Sequence, residues 1–342
     1  MMEMRYNYVY FDDGGVCNGA LDRESYFYIC TRDLRKIDGV KVIGYPMEEY
    51  PILLHRMYTA HCYPYLGGRF QLPFRGLWYP IYFRNSFQEK KRLCFIMSGY
   101  YIKPRYLRYL KKRFPGCKMV LLHRDKVSLW HERNPEFTDA DIRELFDLRL
   151  SIDPDDTARY GTTHFDEFES MIEVPRAPDY PFSDVFFAGY AKDRMPRLLE
   201  VYHKLTAAGL TCRYYLVGVP KEQRVPYPGI EYADKQLRYS QMLYRSANAV
   251  CMLEINQGGS LGYTSRFLEA VMLNKKLITD NPHVCDSQFY NPEYIHYIRT
   301  ADELEPSFIR RDVGTVDYHY QGEFSPLHLI EKIDGMLAAL NT

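Results

Sequence analysis

No two of the eight cysteines (Cys17, Cys30, Cys62, Cys94, Cys117, Cys212, Cys251, Cys285) form a C-x-x-C pair, and no histidine spacing complements them. The common zinc frameworks are thereby excluded. Several sit in apolar, strand-like runs such as Leu93-Cys94-Phe95-Ile96 and Val250-Cys251-Met252-Leu253. Buried, reduced thiols and a cytoplasmic location are therefore expected. No window approaches the roughly 18 continuous apolar residues that cross a bilayer, and Met1 to Tyr10 lacks an apolar stretch of signal-peptide length. The expectation is a protein neither exported nor membrane-spanning. Net charge is absent as well, with 44 Lys and Arg against 44 Asp and Glu, so an anionic partner must be met by a local patch. Fixed-period repeats and low-complexity tracts are missing, which excludes solenoids and linker-like chains.

What is present is an ordinary globular composition, 46% hydrophobic and 26% charged, far from the signature of disorder. The 342 residues suffice for two domains at about 150 residues each. Aromatic residues are abundant, with 32 Tyr and 19 Phe but only 2 Trp. Rings with an apolar face and a polar edge suit sugar surfaces and packed cores alike.

Three prolines between Val174 and Pro181 stop any helix or central strand, so the interdomain linker belongs there, separating an N-terminal domain, 1–175, from a C-terminal one, 182–342, whose last helix is expected to pack back on the first. Beyond the linker, buried-strand runs alternate with helical periodicity. The sequence of elements is strand Asp184 to Tyr190, helix Pro196 to Leu205 stopped by Gly209, and strand Cys212 to Gly218. Then come helix Ser240 to Ser246, strand Ala249 to Leu253, helix Tyr263 to Leu273 and strand Lys275 to Thr279. Such alternation implies a parallel, doubly wound sheet. In the first half, strands at Tyr6 to Phe11, Leu93 to Met97 and Lys118 to Leu122 flank a helix from Pro104 to Phe114, whereas Pro51 to Phe87 shows no clear period.

Between a strand and a helix lies Gln257-Gly258-Gly259-Ser260-Leu261-Gly262-Tyr263-Thr264-Ser265-Arg266, with Glu269 three residues further on. A glycine loop there places unpaired helix N–H groups at the carboxyl edge of the sheet, where a diphosphate fits; the plainer alternative is a loop followed by an i,i+3 Arg–Glu pair. The turn Gly189 to Arg194 brings Lys192 and Arg194 to the same edge as the opposite wall of one pocket, or else is a solvated charged loop. After the first strand, Asp12-Asp13-Gly14-Gly15 occupies the place of a first strand-to-helix loop, making Asp13 the candidate catalytic base, against a plain reading as turn residues. His55 and His61 also titrate in the useful range, but lone histidines are more often structural.

Taken in order, Asp184 to Arg194, Tyr214 to Gly218, Gln257 to Glu269, Lys275 to Asn281 and Phe289 to Glu293 resemble the C-terminal domain of bacterial GT-B glycosyltransferases of lipopolysaccharide, capsule or exopolysaccharide biosynthesis. That resemblance implies an α/β, GT-B-like architecture of two Rossmann-like, doubly wound domains facing a cleft, with the donor on the C-terminal side. It implies donor contacts at Gly189, Lys192, Arg194, Gln257, Gly258, Gly259, Thr264, Arg266 and Glu269, the last holding the ribose hydroxyls. It further implies a nucleotide-sugar substrate, a cell-surface glycan or polyprenyl-linked acceptor, no other cofactor and no metal. Many retaining members carry a second Glu seven residues before the first, where this chain has Gly262. Retaining and inverting courses therefore both stay open. Two rivals share the fold: a phosphotransferase using CDP-alditols, and a non-catalytic glycan-binding protein.

From Lys90 to Arg124 the chain holds eleven Lys or Arg and no Asp or Glu, with Tyr100, Tyr101, Tyr106, Tyr109 and Phe114 interleaved. This pattern suits an anionic membrane surface, hence a peripheral position on the inner membrane face. It equally suits a solvated helix neutralised by the acidic span Asp125 to Glu173. Nucleic acid, which also matches basic and aromatic interleaving, is not expected as a partner.

Overall fold

The computed structural model describes residues 3–12, 16–17, 20–21, 23–43, 51–62, 73–98, 103–172, 174, 180–257 and 261–340. Contacts divide the chain into two units. The first comprises 1–151, 156–165 and 326–342, and the second 152–155 and 166–325. The segment from 166, which the proline-based reading put before the linker, thus packs with the second unit, where Glu169 N–H donates to Phe324 O at 2.8 Å. The C-terminal helix belongs to the first: Tyr8 O–H donates to Asp334 Oδ1 at 2.6 Å and Arg5 N–H to the same oxygen at 3.0 Å.

The first unit is built on six parallel strands, β1 (Tyr6–Phe11), β2 (Val40–Ile43), β3 (Arg92–Met97), β4 (Lys118–His123), β5 (Leu148–Ser151) and β6 (Thr163–His164), in the order β2-β1-β3-β4-β5-β6. Helices α1 (Pro104–Arg113), α2 (Val127–Arg133) and α3 (Asp139–Leu145) follow β3 and β4. Proline at the start of α1 gives up an N–H that no helix would use, and Gly116, at φ +78°, permits the turn that ends the segment. Tyr106, Leu107 and Leu110 recur at helical spacing and bury one face against Phe11, Phe95 and Leu121, each worth roughly 1.5–3 kcal/mol of transfer energy.

The second unit repeats the plan with β7 (Ser183–Tyr190), β8 (Cys212–Val217), β9 (Ile230–Ala233), β10 (Ala249–Glu254), β11 (Lys276–Thr279) and β12 (Ile295–Tyr297). Its order is β9-β8-β7-β10-β11-β12, every pair parallel. Helices α4 (Met195–Ala207), α5 (Tyr239–Ala247) and α6 (Ser265–Met272) connect them. The order runs outward on one side from β7 and resumes on the other at β10, which is the doubly wound topology with its switch point between those two strands. Side chains on one face of this sheet, Val185, Phe187, Leu216, Leu253 and Ile278 among them, pack with Leu198, Val201 and Leu205 of α4.

Candidate functional site

A doubly wound sheet leaves a crevice outside the carboxyl ends of the two strands that flank its switch point, because the chain departs to opposite faces there. In the second unit those ends are Tyr190 and Glu254. Arg194 spans them: its Nε donates to Tyr190 O at 2.8 Å, its Nη1 donates to Ile255 O, and its guanidinium lies 5.1 Å over the Phe187 ring. Burial, together with nearby Arg266, lowers the Arg194 pKa to about 10, so it stays charged at neutral pH. A Cβ at Gly189 would stand 2.8 Å from Arg194 Nη2, so a side chain there would displace the guanidinium from its place. Lys192, held at φ +42°, donates from Nζ to Gln257 Oε1 at 2.7 Å and forms a second bridge over the same gap. Lys192, Arg194 and Gln257 are thus brought together, while Gly258 and Gly259 lie outside the described residues.

Below this rim is a buried carboxylate network that links the loop to the sheet. Glu254, 3% exposed, accepts hydroxyl hydrogen bonds from Thr264 and Thr279. Thr264 in turn caps α6, its oxygen accepting Arg266 N–H at 3.1 Å. Burial raises the Glu254 pKa above its ordinary 4.5, with the two hydroxyls working against it. Asp280 accepts Asn256 N–H at 2.8 Å and pairs with Arg197 at 3.2 Å. Asn281 donates to Gly262 O at 3.0 Å, and Asp153 accepts Leu261 N–H at 3.2 Å. Gly262 itself has no room for a side chain, because a Cβ would come within 2.5 Å of Ile152 O. A carboxylate cannot stand at the place where many retaining enzymes carry one.

Glu269, the ribose contact that the resemblance implies, is fully buried in the ligand-free protein, with Arg266 paired to Oε2 and Tyr239 O–H donating to Oε1 at 2.9 Å. The pairing follows from helical spacing. Arg266 and Glu269 are three positions apart on α6, so they share one face, and Arg266 Nη2 also donates to Ala188 O of β7 at 3.1 Å. Tyr239 O–H also reaches Glu169, another fully buried carboxyl. The Tyr239 hydroxyl thus lies between two buried carboxyls, one on α6 and one from the segment that enters the second unit at 166. Neither Tyr239 nor Glu169 carried a signal in the sequence, for they lie 30 and 100 positions from Glu269 and meet it only through the fold.

In the first unit, Asp13 lies outside the described residues. Its neighbour Asp12 is buried at the carboxyl end of β1 and accepts the Thr31 hydroxyl at 3.0 Å. His61 is structural. Trp78 Nε1 donates to its Nδ1 at 2.9 Å, which leaves Nε2 to donate to Pro73 O at 2.7 Å. The side chain of His55 is outside the description. Part of the basic segment is matched by acids outside it: Lys91 pairs with Glu89 at 3.0 Å, Lys103 with Glu136, Arg108 with Asp141 and Glu144, and Lys118 with Asp147 at 3.1 Å. Tyr106 is 2% exposed and packs against Tyr79 and Tyr82, with ring centroids at 5.2 and 5.0 Å. Tyr106, Tyr109 and Phe114 therefore pack with protein core, Arg105, Lys112 and Arg113 are exposed, and Tyr100 and Tyr101 lie outside the described residues. Among the described residues no helix is long and apolar enough to cross a membrane, and no group of three or more His, Cys, Asp or Glu could hold a metal ion.

No protein-family model matches the chain. No curated protein matches it either. Solved structures do. An alpha-glucosyltransferase in complex with UDP and a 13-mer DNA containing a central A:G mismatch superposes with a TM-score of 0.60 at 12% identity, covering 99% of this chain and 100% of that one. HepE of Anabaena, in complex with UDP and glucose, gives 0.48 at 10% identity over 98% and 100% of the two chains. Sucrose-phosphate synthase from Thermosynechococcus elongatus gives 0.45 at 10% identity over 72% and 73%. The first of these likenesses, with the two six-stranded parallel sheets, establishes the architecture: the chain has the GT-B glycosyltransferase fold, two Rossmann-like α/β units in one polypeptide.

Proposed function

We propose that this protein is a glycosyltransferase that takes a sugar from a nucleotide-sugar donor held at the carboxyl edge of the second sheet. The observation that supports this most is the pair of cations, Lys192 and Arg194, spanning the switch point to Gln257 and Ile255. Glycosyl transfer builds negative charge on the departing diphosphate, and two fixed cations stabilise that charge as it develops. The start of α6, with Thr264 as its cap, adds oriented N–H groups on the same side. Arg266 and Glu269 support the floor through the tie to Ala188, and the ribose contact assigned to Glu269 by resemblance requires that its Tyr239 hydrogen bond be exchanged for a sugar hydroxyl. Gly262 is closed to side chains, so no carboxylate stands at the place many retaining enzymes use; an inverting course needs a base on the acceptor side, for which Asp13 is the candidate.

A cell-surface glycan or a lipid-linked glycan is the acceptor class in this reading. It rests on the resemblance of the C-terminal segments; the exposed cations Arg105, Lys112 and Arg113 of α1 are compatible with an anionic surface and do not by themselves select one.

The test is donor hydrolysis by the full-length protein over UDP-, GDP- and CDP-linked sugars and CDP-alditols, repeated with Lys192→Gln and Arg194→Gln. Turnover of a nucleotide sugar, reduced at least tenfold in Arg194→Gln, is expected. Turnover of CDP-alditols alone would move the assignment to phosphotransfer. Glycan binding without any nucleotide dependence would make this a binding protein.

A further inference from the structure

A cavity of about 60 Å³ in the first unit has His123, His131, Asp139, Arg149, Tyr160 and Thr162 as its polar lining. All six belong to that unit, whereas Lys192 and Arg194 belong to the second. A single water needs roughly 10–15 Å³ on the same measure, so the space admits a group the size of a phosphate or a carboxylate.

Two of the lining side chains are buried without satisfying their polar atoms. His123, the last residue of β4, is 3% exposed, and its Nδ1 has no hydrogen-bond partner. Thr162 is 5% exposed, and its Oγ1 is likewise without a partner. Buried polar atoms in folded proteins are nearly always hydrogen-bonded, so two orphans lining one cavity need a reason. The surroundings indicate which charge would provide it. Arg149 lies on β5 beside β4, makes no ion pair among the described residues, and uses one N–H on Gly161 O at 3.1 Å. Burial, with His131 and Arg149 close by, depresses the His123 pKa to about 3, so this imidazole is neutral at physiological pH and sits in a positive field. A neutral ring has one N–H, and an oxyanion in the cavity selects the tautomer that carries it on Nδ1, where it donates. The acid in the lining, Asp139, is solvent-exposed in the first turn of α3, where water screens it.

We propose that this cavity binds a small oxyanion, the phosphate or carboxylate group of a metabolite, with Arg149 as the counter-charge and Thr162 and His123 as the buried donors. The arrangement supplies one fixed positive charge and two uncommitted donors converging on one space, which is what a tetrahedral or planar oxyanion needs. This proposal does not depend on the transferase reading.

The test follows the ring C–H signals of His123 and His131 by NMR in the full-length protein while inorganic phosphate or acetate is added. Saturable shifts at millimolar concentration are expected, weaker by tenfold or more in Arg149→Gln. Phosphate alone moving the signals assigns a phosphoryl group; acetate alone assigns a carboxylate. The same shifts should persist in a Lys192→Gln, Arg194→Gln double variant, which removes the other cationic edge. Because Arg149→Gln also loses the bond to Gly161, Thr162→Val provides a second variant whose effects have opposite signs. Removing a hydroxyl without a partner should raise the Tm of the ligand-free protein and yet weaken anion binding. Histidine signals that neither anion moves, anion binding by both variants equal to wild type, or a lowered Tm in Thr162→Val would each overturn the proposal.

Discussion

Replacing Glu269 by alanine tests whether that carboxylate is a structural member of the second unit. Its side chain is fully buried and that of Arg266 is 15% exposed, so the substitution leaves a guanidinium under the sheet without its counter-charge. Breaking such a pair by deleting one partner costs about 3–5 kcal/mol. Arg266 keeps its bond to Ala188 O, which places this case near the lower end, and the Tyr239 hydroxyl loses an acceptor worth about 1 kcal/mol. A loss of about 3 kcal/mol is expected, a large share of the roughly 5–15 kcal/mol that holds a domain together. At about 2 kcal/mol per M of urea, the midpoint for the second unit falls by about 1.5 M. The readout matters, because both tryptophans, Trp78 and Trp130, belong to the first unit. Far-UV circular dichroism therefore follows both units, whereas tryptophan fluorescence follows only the first. Glu269→Gln, which preserves an acceptor for Tyr239, should lose about half as much, and Arg266→Met with Glu269→Leu should recover most of the stability, since apolar replacements remove both charges together. A Glu269→Ala midpoint within about 0.3 M of wild type by circular dichroism would refute the structural role.

Gly262→Ala should destabilise by about 1–3 kcal/mol, because its Cβ meets the Ile152 carbonyl and no rotamer relieves a clash with backbone; an unchanged urea midpoint would mean that the loop shifts freely. His123 is neutral in the folded protein down to about pH 3 but protonates near 6.5 when unfolded. Its contribution is thus present above pH 6.5 and is lost as pH falls toward 3, by up to about 1.4 kcal/mol per unit, and His123→Phe should flatten that slope in urea titrations. Glu254 has the opposite sign. Its folded pKa is raised above 4.5, so its contribution is full below that pH and declines as pH rises through the folded value, and the stability of Glu254→Gln should fall less over that range when measured the same way.

The strands of the second unit are legible in the sequence because both faces of β7, β8 and β10 are covered, which produces unbroken apolar runs such as Val185-Phe186-Phe187-Ala188. The strands that sequence reading passes over are short and close to an edge. β5 and β9 have four residues and carry Arg149 and Glu231, and β12 has three. Charge in a short run reads as loop. At the candidate site, Lys192, Arg194 and Gln257 could be found because a strand end fixes where they emerge, whereas the Glu254 hydroxyl bridges and the Tyr239 contacts join residues whose proximity exists only after folding. The stripe on α1 shows the limit of periodicity. Tyr106 and Tyr109 follow the same spacing whether they meet lipid or Phe11 and Tyr79, and spacing does not distinguish them.

The two arginines at the edge of the second sheet have opposite electrostatic fates. Arg266 is cancelled by Glu269, while Arg194 is held by two main-chain carbonyls and an aromatic ring, none of which carries charge, and makes no ion pair among the described residues. Neutral acceptors fix its direction, and the carboxylates of Asp193, Asp280 and Glu254 act on it only without direct pairing. A full positive charge is thereby stored in a defined orientation, and any group arriving beside it gains in proportion to the charge it brings: a dianion more than a monoanion, and an uncharged nucleoside almost nothing from this source. In the proposed donor site this charge would sort ligands by valence before any hydrogen bond to a particular base or sugar is made.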